Sequence, residues 1–307
     1  LAFEHLLIAS VLQGIVMNAM MPSRQALTKD VVGLDLLTNA IALSTSGMNT
    51  ARLLLPGLAG GLVAALGGGD GYIDPAKWVY LMMSGLYLFG SLGLFKVNVG
   101  DKPVNDEMHK PFVTELVMGF DYVFKTPVIF MLLGCNFLMV FFSLTYFMLL
   151  PGFVKEVLDA GPDKLGLLIS ISGIGSLIGS LVIASIANRN RARILLSGGL
   201  IMGIALLGFA FSTDYWLSVF LLTFVGFGQA ARMSLSNVLI QSYVHDDFRG
   251  RVMSIYMMEM SILSVAILPI SIAADVFGPQ IAVGVSAACL IVLVLVLFRV
   301  PAYRNLD

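Results

Sequence analysis

Long apolar runs alternate with short polar segments along the whole chain. A run of about 20 apolar residues is long enough to cross a bilayer as a helix. The pattern predicts nine such spans, at residues 1–21, 39–66, 78–97, 127–154, 165–187, 194–211, 216–244, 252–276 and 281–300. We therefore predict an all-α, polytopic membrane helix bundle embedded in the lipid bilayer.

The longest connection between spans covers residues 98–126, and its two halves differ. Residues 100–111 are polar, which is typical of a flexible linker. Apolar residues then recur at spacings of three and four, at Phe112, Leu116, Phe120, Val123 and Phe124. This second half predicts an amphipathic helix that either lies on the membrane surface or packs on the bundle. The predicted division is 1–97 (three spans), 98–126 (linker with amphipathic helix) and 127–307 (six spans).

The basic residues between the predicted spans fall mainly on one side of the membrane. If the loops alternate, one side collects Arg24, Lys29, Lys96, Lys102, Lys110, Lys125, Arg189, Arg191, Arg193, Arg249, Arg251, Arg299 and Arg304. The other side collects Lys77, Lys155 and Lys164. Since cytoplasmic loops are rich in Lys and Arg, we expect the linker and the C-terminus to be cytoplasmic, in a plasma (cytoplasmic) membrane.

Composition excludes several classes of protein. Only 12% of the residues are charged, about half the share in a soluble domain. The net charge of −1 indicates no particular class of partner, and we expect no binding to nucleic acid. Cys135 and Cys289 both lie in apolar runs, where free cysteine behaves as a small hydrophobic residue. We find no nucleotide-binding loop, zinc motif or nucleophile elbow. The chain is therefore predicted to be no enzyme and to use no cofactor or metal.

Four segments resemble the drug and siderophore exporters of the major facilitator superfamily, a branch that includes the enterobactin exporter. The segments are MPSRQAL at 21–27, NAIAL at 39–43, ELVMGFDYV at 115–123 and RGRVMS at 249–254. The resemblance implies that the nine spans are helices four to twelve of a twelve-helix fold, so that the first three helices are missing from this sequence.

One position departs from that branch. The exporter motif on helix five carries a Gly-Pro pair, whereas Leu55 precedes Pro56 here. Small residues persist on the same helix, so its close packing against a neighbour is still expected. They are Ala42, Ala51, Ala59 and Gly60.

Charged side chains inside the predicted spans are costly and need a reason to persist. Arg52 shares a helix face with Asn49, and this polar stripe predicts either a substrate path or a hydrogen-bonded packing seam. Arg232 shares a face with Gln229 and Ser236. The resemblance places that helix as helix ten, which lines the central cavity. The alternative is that Arg232 extends toward the cytoplasmic interface.

Glu259 is predicted to lie about two turns into its span, and Asn136 is a further cavity candidate on the first span of the second half. A buried carboxyl group can exchange protons near neutral pH, as a proton-coupled exporter requires. The alternative is a glutamate held by a fixed partner or facing cytoplasmic water. If Arg232 approached Glu259, loss and gain of that pairing could couple proton binding to cavity opening.

These observations predict a secondary active transporter that exports an amphipathic small molecule, drug-like or siderophore-like. Its partners would be the small-molecule substrate, protons and the bilayer, and the full-length protein is expected to be monomeric. Efflux by proton antiport and alternating access is the leading hypothesis. The alternatives are a non-transporting membrane component, such as a lipid scramblase or an assembly partner, and an intramembrane enzyme. The three charges, Arg52, Arg232 and Glu259, lie on different spans, which weakens the enzyme hypothesis.

Overall fold

The computed structural model describes residues 54–62, 74–94, 112–185 and 190–304, together with Leu12, Val16, Thr50, Ala51 and Leu306. All regular structure in this part of the chain is helical. The helices are α1 (Asp74–Leu94), α2 (Phe112–Lys125), α3 (Pro127–Glu156), α4 (Pro162–Ser185), α5 (Arg191–Phe211), α6 (Tyr215–Tyr243), α7 (Arg249–Met257), α8 (Glu259–Phe277), α9 (Pro279–Arg299) and α10 (Pro301–Arg304).

Local chemistry fixes several helix ends. Pro127 occupies the first turn of α3 and Pro279 that of α9, where a missing backbone N–H costs nothing. Asp214 caps α6 because its carboxylate accepts a hydrogen bond from the backbone N–H of Leu217 at 2.7 Å. Gly278, between α8 and α9, has φ +87°, a conformation that favours glycine. The bounds of α1, α3, α4, α5, α6 and α9 agree with the predicted spans to within a few residues.

Five of the described helices, α3, α4, α5, α6 and α9, are long and apolar enough to cross a membrane. Shorter apolar helical stretches cover Leu81–Leu92 and Val265–Phe277. Large apolar side chains also face outward, including Leu181, Val265 and Leu268, each about two-thirds exposed or more. Such a surface suits a lipid environment.

Helix α6 packs on α4 on one side and on α5 on another, and α9 packs on α5, α3 and α8. Small residues make the contact with α4 close. A methyl group added at Gly226 would collide with the carbonyl of Ser172, and one at Gly175 with that of Thr223. Gly199 faces Met139 and Val294 on α3 and α9. The spacing of these small residues thus marks helix contacts.

The described part of the second predicted span, residues 54–62, packs on α4. The backbone N–H of Gly57 donates to Ser170 Oγ at 3.0 Å. A methyl group at Gly60 would lie 2.5 Å from the carbonyl oxygen of Pro162 and 3.1 Å from Gly166 Cα. Close packing through Gly60 is therefore confirmed, although Leu55 replaces the expected glycine. Ala42 lies outside the described residues.

Helix α2 contacts α3 and α7, so the amphipathic helix packs on other helices of the bundle. Tyr122 stacks on Phe248 with the ring centroids 4.2 Å apart, and its hydroxyl accepts a hydrogen bond from the backbone N–H of His245. Val123 is buried, whereas Phe124 on the other face is 68% exposed.

The chain divides into two compact units. The 54–62 segment and every described helix from α2 onward belong to one unit, and α1 lies in the other from Ala76. The boundaries predicted from sequence, after residues 97 and 126, stay a prediction.

Candidate functional site

Three polar side chains from three different helices meet inside the bundle. Asn136 lies on α3, Arg232 on α6 and Glu259 at the first position of α8. Their exposed fractions are 1%, 0% and 4%. We call them the Asn136–Arg232–Glu259 cluster. Burial of this depth in an apolar bundle requires that the charges be paired.

The cluster is closed by three hydrogen bonds. Arg232 Nη1 donates to Asn136 Oδ1 at 2.9 Å and to Glu259 Oε2 at 3.0 Å. Asn136 Nδ2 donates to the same Glu259 Oε2 at 3.0 Å. One guanidinium and one carboxylate thus neutralise each other, and the amide bridges them. Each residue fixes the rotamers of the other two.

Several buried polar atoms near or along these helices have no hydrogen-bond partner. They include Nε and Nη2 of Arg232 and the hydroxyl of Ser236, one turn further along α6. On α3 they include the hydroxyls of Ser143 and Thr145. Ser143 lies two turns beyond Asn136 on the same helix face. Buried donors without partners are rare in folded proteins, so they mark places where a ligand, a water or a second conformation is expected.

The spacing of the backbone hydrogen bonds tightens from four residues to three at the cluster. Helix α7 ends at Met257 and α8 begins at Glu259, so only Met258 separates them. Met258 N–H donates to the carbonyl of Ile255 at 3.0 Å, and Ser261 N–H donates to the carbonyl of Met258 at 2.9 Å. These tighter bonds replace the regular ladder. Glu259 therefore occupies the first turn of α8, where a carboxylate is favoured by the helix dipole.

The single helix predicted for residues 252–276 is thus two helices. Proline does not cause this interruption, because Pro269 lies inside α8 without ending it. Tyr256, the next-to-last residue of α7, donates its hydroxyl to the carbonyl of Met233 at 3.3 Å. This bond ties the end of α7 to α6 at the residue that follows Arg232.

The structure brings together three of the seven candidate residues. Ser236 is buried on the same helix as Arg232 and contributes an unpartnered hydroxyl, and Gln229 is half-buried one turn before Arg232. Asn49 and Arg52 lie outside the described residues. The possibility that Arg232 extends to the interface is wrong, because its side chain is fully buried and paired.

Sequence reasoning missed two features, the buried hydroxyl of Ser143 on α3 and the break at Met258 between α7 and α8. The seven-residue spacing from Asn136 to Ser143 was a usable signal, because it places both on one face of α3. The break at Met258 had no such signal. Neither glycine nor proline stands at residues 255–261, so no residue type in the sequence marks the break.

An apolar cavity of about 190 Å³ borders this break. It is lined by Phe120 of α2, Phe137 of α3, Ile255, Met258, Ser261 and Val265. Met258 and Phe137 are the chain neighbours of Glu259 and Asn136, but the cluster side chains do not line the cavity. It is a separate apolar space next to the polar cluster.

Five apolar helices of membrane-spanning length in the described part of the chain, and an ion pair buried among the helices, are typical of a polytopic membrane protein. The sequence profile described as transmembrane secretion effector matches residues 1–307. The chain therefore belongs to this family of the major facilitator superfamily. The predicted family and the all-α membrane fold are confirmed.

One curated relative is the staphyloferrin A transporter of Staphylococcus aureus (strain NCTC 8325 / PS 47). It is 24% identical over 282 residues, which cover 89% of this chain and 66% of the relative. The chain thus spans slightly less than two thirds of the relative's length. The name of that protein describes transport of staphyloferrin A.

Proposed function

We propose that this chain belongs to a secondary active transporter that exports an amphipathic small molecule in exchange for protons. The observation that carries the proposal is the Asn136–Arg232–Glu259 cluster. An ion pair that is buried among three helices costs several kcal/mol per ion in desolvation, which only good geometry and hydrogen bonds offset. Because a pair of this kind is costly inside a membrane, its presence supports a functional role.

Glu259 is the proposed proton carrier. In the paired state its carboxylate is held by Arg232 and Asn136 at 3.0 Å each. Protonation would remove the charge that pairs with Arg232, so the helices that carry the two residues would lose their strongest link. The two protonation states therefore favour different arrangements of α6 and α8, which is what alternating access needs.

The break at Met258 supports this mechanism. Since α7 and α8 do not share one continuous hydrogen-bond ladder, α8 can change its angle to α7 with little loss of helical bonding. Glu259 lies on α8 directly at the break, so movement of its carboxylate and movement of the helix are linked. The hydrogen bond from the Tyr256 hydroxyl to the Met233 carbonyl holds α7 against α6 while α8 moves.

The relative's transport of a siderophore supports a small organic substrate with both polar and apolar parts. The excess of basic residues in alternate loops supports a cytoplasmic linker and C-terminus in the plasma membrane. We infer that the substrate, protons and lipid are the partners, and that the protein works as a monomer.

The test is the variant Glu259→Gln, whose transport rate is measured with the full-length protein in proteoliposomes. A pH gradient should drive flux of the fluorescent probe rhodamine 123 through the wild type. Glu259→Gln cannot titrate, so we expect flux to lose its dependence on the gradient and to fall at least tenfold, a typical size for loss of one proton-transfer group.

Asp275→Asn is the matched control, because Asp275 lies exposed near the other end of α8. It should retain the wild-type rate. A Glu259→Gln protein with normal rate and normal pH dependence would disprove proton coupling through Glu259. A wild type that moves fluorescent lipid between leaflets, but not the probe, would favour a scramblase.

A further inference from the structure

The guanidinium of Arg232 uses only one of its three nitrogens. Nη1 makes both hydrogen bonds of Arg232 within the cluster, to Asn136 Oδ1 and Glu259 Oε2. Nε and Nη2 are fully buried and have no partner. These two atoms form the side-on edge of the guanidinium, whose parallel N–H bonds fit the oxygens of one planar group. The unused donors are therefore a ready-made binding edge.

We propose that this Nε–Nη2 edge of Arg232 is a substrate subsite that binds a neutral oxygen acceptor, such as the carbonyl of an ester or amide. The inference rests on the proposed transport function and names the chemical group that the transporter recognises. The unpartnered hydroxyl of Ser236, one turn along α6, would supply one more hydrogen bond.

Charge decides which group fits. Glu259 already neutralises Arg232 at 3.0 Å. A carboxylate at the free edge would place two negative charges around one guanidinium, and in a medium of low dielectric the uncompensated charge is costly. A cationic group would meet N–H donors and be repelled. A neutral carbonyl satisfies the donors and leaves the cluster uncharged.

The same geometry gives the sign of proton coupling. Both N–H bonds of Nη1 are held by Asn136 and Glu259, so the free edge is held in a fixed orientation while Glu259 is ionised. Protonation of Glu259 releases that hold and the substrate with it. The ionisable groups that interact at this junction are Arg232 from α6 and Tyr256 from α7, while α3 contributes the neutral Asn136. Proton and substrate would thus exclude each other, as exchange requires.

In this conformation the edge is enclosed, so access requires that a neighbouring helix move. The break at Met258 is the place where α8 can move away from α6. The apolar cavity beside it, lined by Phe137 and Ile255 among others, offers space for the apolar part of an amphipathic molecule once α8 has moved.

The first experiment uses the wild type in lipid nanodiscs and a matched pair of probes. Rhodamine 123 is a methyl ester, and rhodamine 110 is the corresponding free acid. Both carry the same cationic xanthene ring, so the pair differs only in the group offered to the Arg232 edge. Fluorescence anisotropy at equilibrium should show that the ester binds about tenfold tighter or more, because its carbonyl adds no negative charge to the Arg232–Glu259 pair whereas the carboxylate does.

The second experiment uses Arg232→Lys, which keeps the positive charge near Glu259 but has no planar edge. The ester should lose about tenfold in affinity, and the preference over the acid should disappear. Arg299→Lys, at the exposed end of α9, is the matched control and should retain both. Thermal unfolding verifies that both variants are folded.

Three results would overturn the proposal. They are failure of the ester to bind the wild type, equal or tighter binding of the acid, and an unchanged ester preference in folded Arg232→Lys. Binding at equilibrium needs no gradient, so these failures are distinct from a failure of proton-driven flux.

Discussion

Two neighbouring segments of helix α6 are buried by different kinds of contact. Around Gly226 it packs on α4 so closely that no methyl group fits between Gly226 and the carbonyl of Ser172. Two turns later it places the guanidinium of Arg232 in a cluster held by three hydrogen bonds. The first contact depends on the absence of side chains. The second depends on complementary side chains supplied by α3 and α8.

This difference separates structural roles from functional ones. The glycine contact has a single tight arrangement, so it suits a pair of helices that move together. The polar cluster can exist paired or unpaired, so it suits helices that move relative to each other. We therefore expect α4 and α6 to form a rigid pair and expect change to occur between α6 and α8.

The largest effect is expected when one partner of the buried ion pair is removed. Arg232→Met leaves Glu259 buried without its cation, and such losses typically cost about 3–5 kcal/mol of folding free energy. The double variant Arg232→Met/Glu259→Leu removes both charges and should recover most of that stability. Neither variant should transport. Thermal unfolding in detergent, together with the flux assay, separates the two quantities.

A double variant that is as unstable as the single one would contradict this account. It would show that the cluster contributes to stability through packing rather than through charge balance. Restored transport in the double variant would refute the functional role of the pair.

The glycine contact should give the next largest effect. In Gly226→Ala the new methyl group collides with the backbone of α4, which cannot rotate away as a side chain can. Overpacking of this kind costs about 1–3 kcal/mol. Gly134→Ala on α3 is the matched control, because a methyl group there meets nothing within 4 Å. Unfolding temperatures should differ clearly, and equal values would show that α4 and α6 can separate.

Sequence reasoning predicted correctly those features that depend on the residue pattern of a single helix. The period of apolar residues gave the bounds of α3, α5 and α9 to within a few residues. Charge in an apolar run marked Arg232 and Glu259 individually. Their contact depends on the rotation of two helices about their own axes, which a single sequence does not fix. The break at Met258 was missed for the same reason.

The smallest effect distinguishes two buried serines on α6. Ser218 is fully buried, and its hydroxyl donates to the carbonyl of Asp214 at 2.9 Å and lies 3.1 Å from Ser212 Oγ. Ser236 is also buried, but its hydroxyl has no partner. Ser218→Ala should cost about 1 kcal/mol, the net value of a typical hydrogen bond. Ser236→Ala removes a desolvated polar group that gains nothing in this conformation, so its stability should be unchanged or slightly raised. The same substitution on the same helix cancels most differences in helix propensity.

Calorimetry on both variants without ligand measures the difference between their free energies of unfolding. If Ser236→Ala proves as destabilising as Ser218→Ala, the hydroxyl has a partner in the resting protein, and the space beside Arg232 is occupied before substrate arrives. If it is neutral alone but weakens binding of rhodamine 123, Ser236 contributes only when the subsite is filled, which is the behaviour expected of a group that recognises substrate.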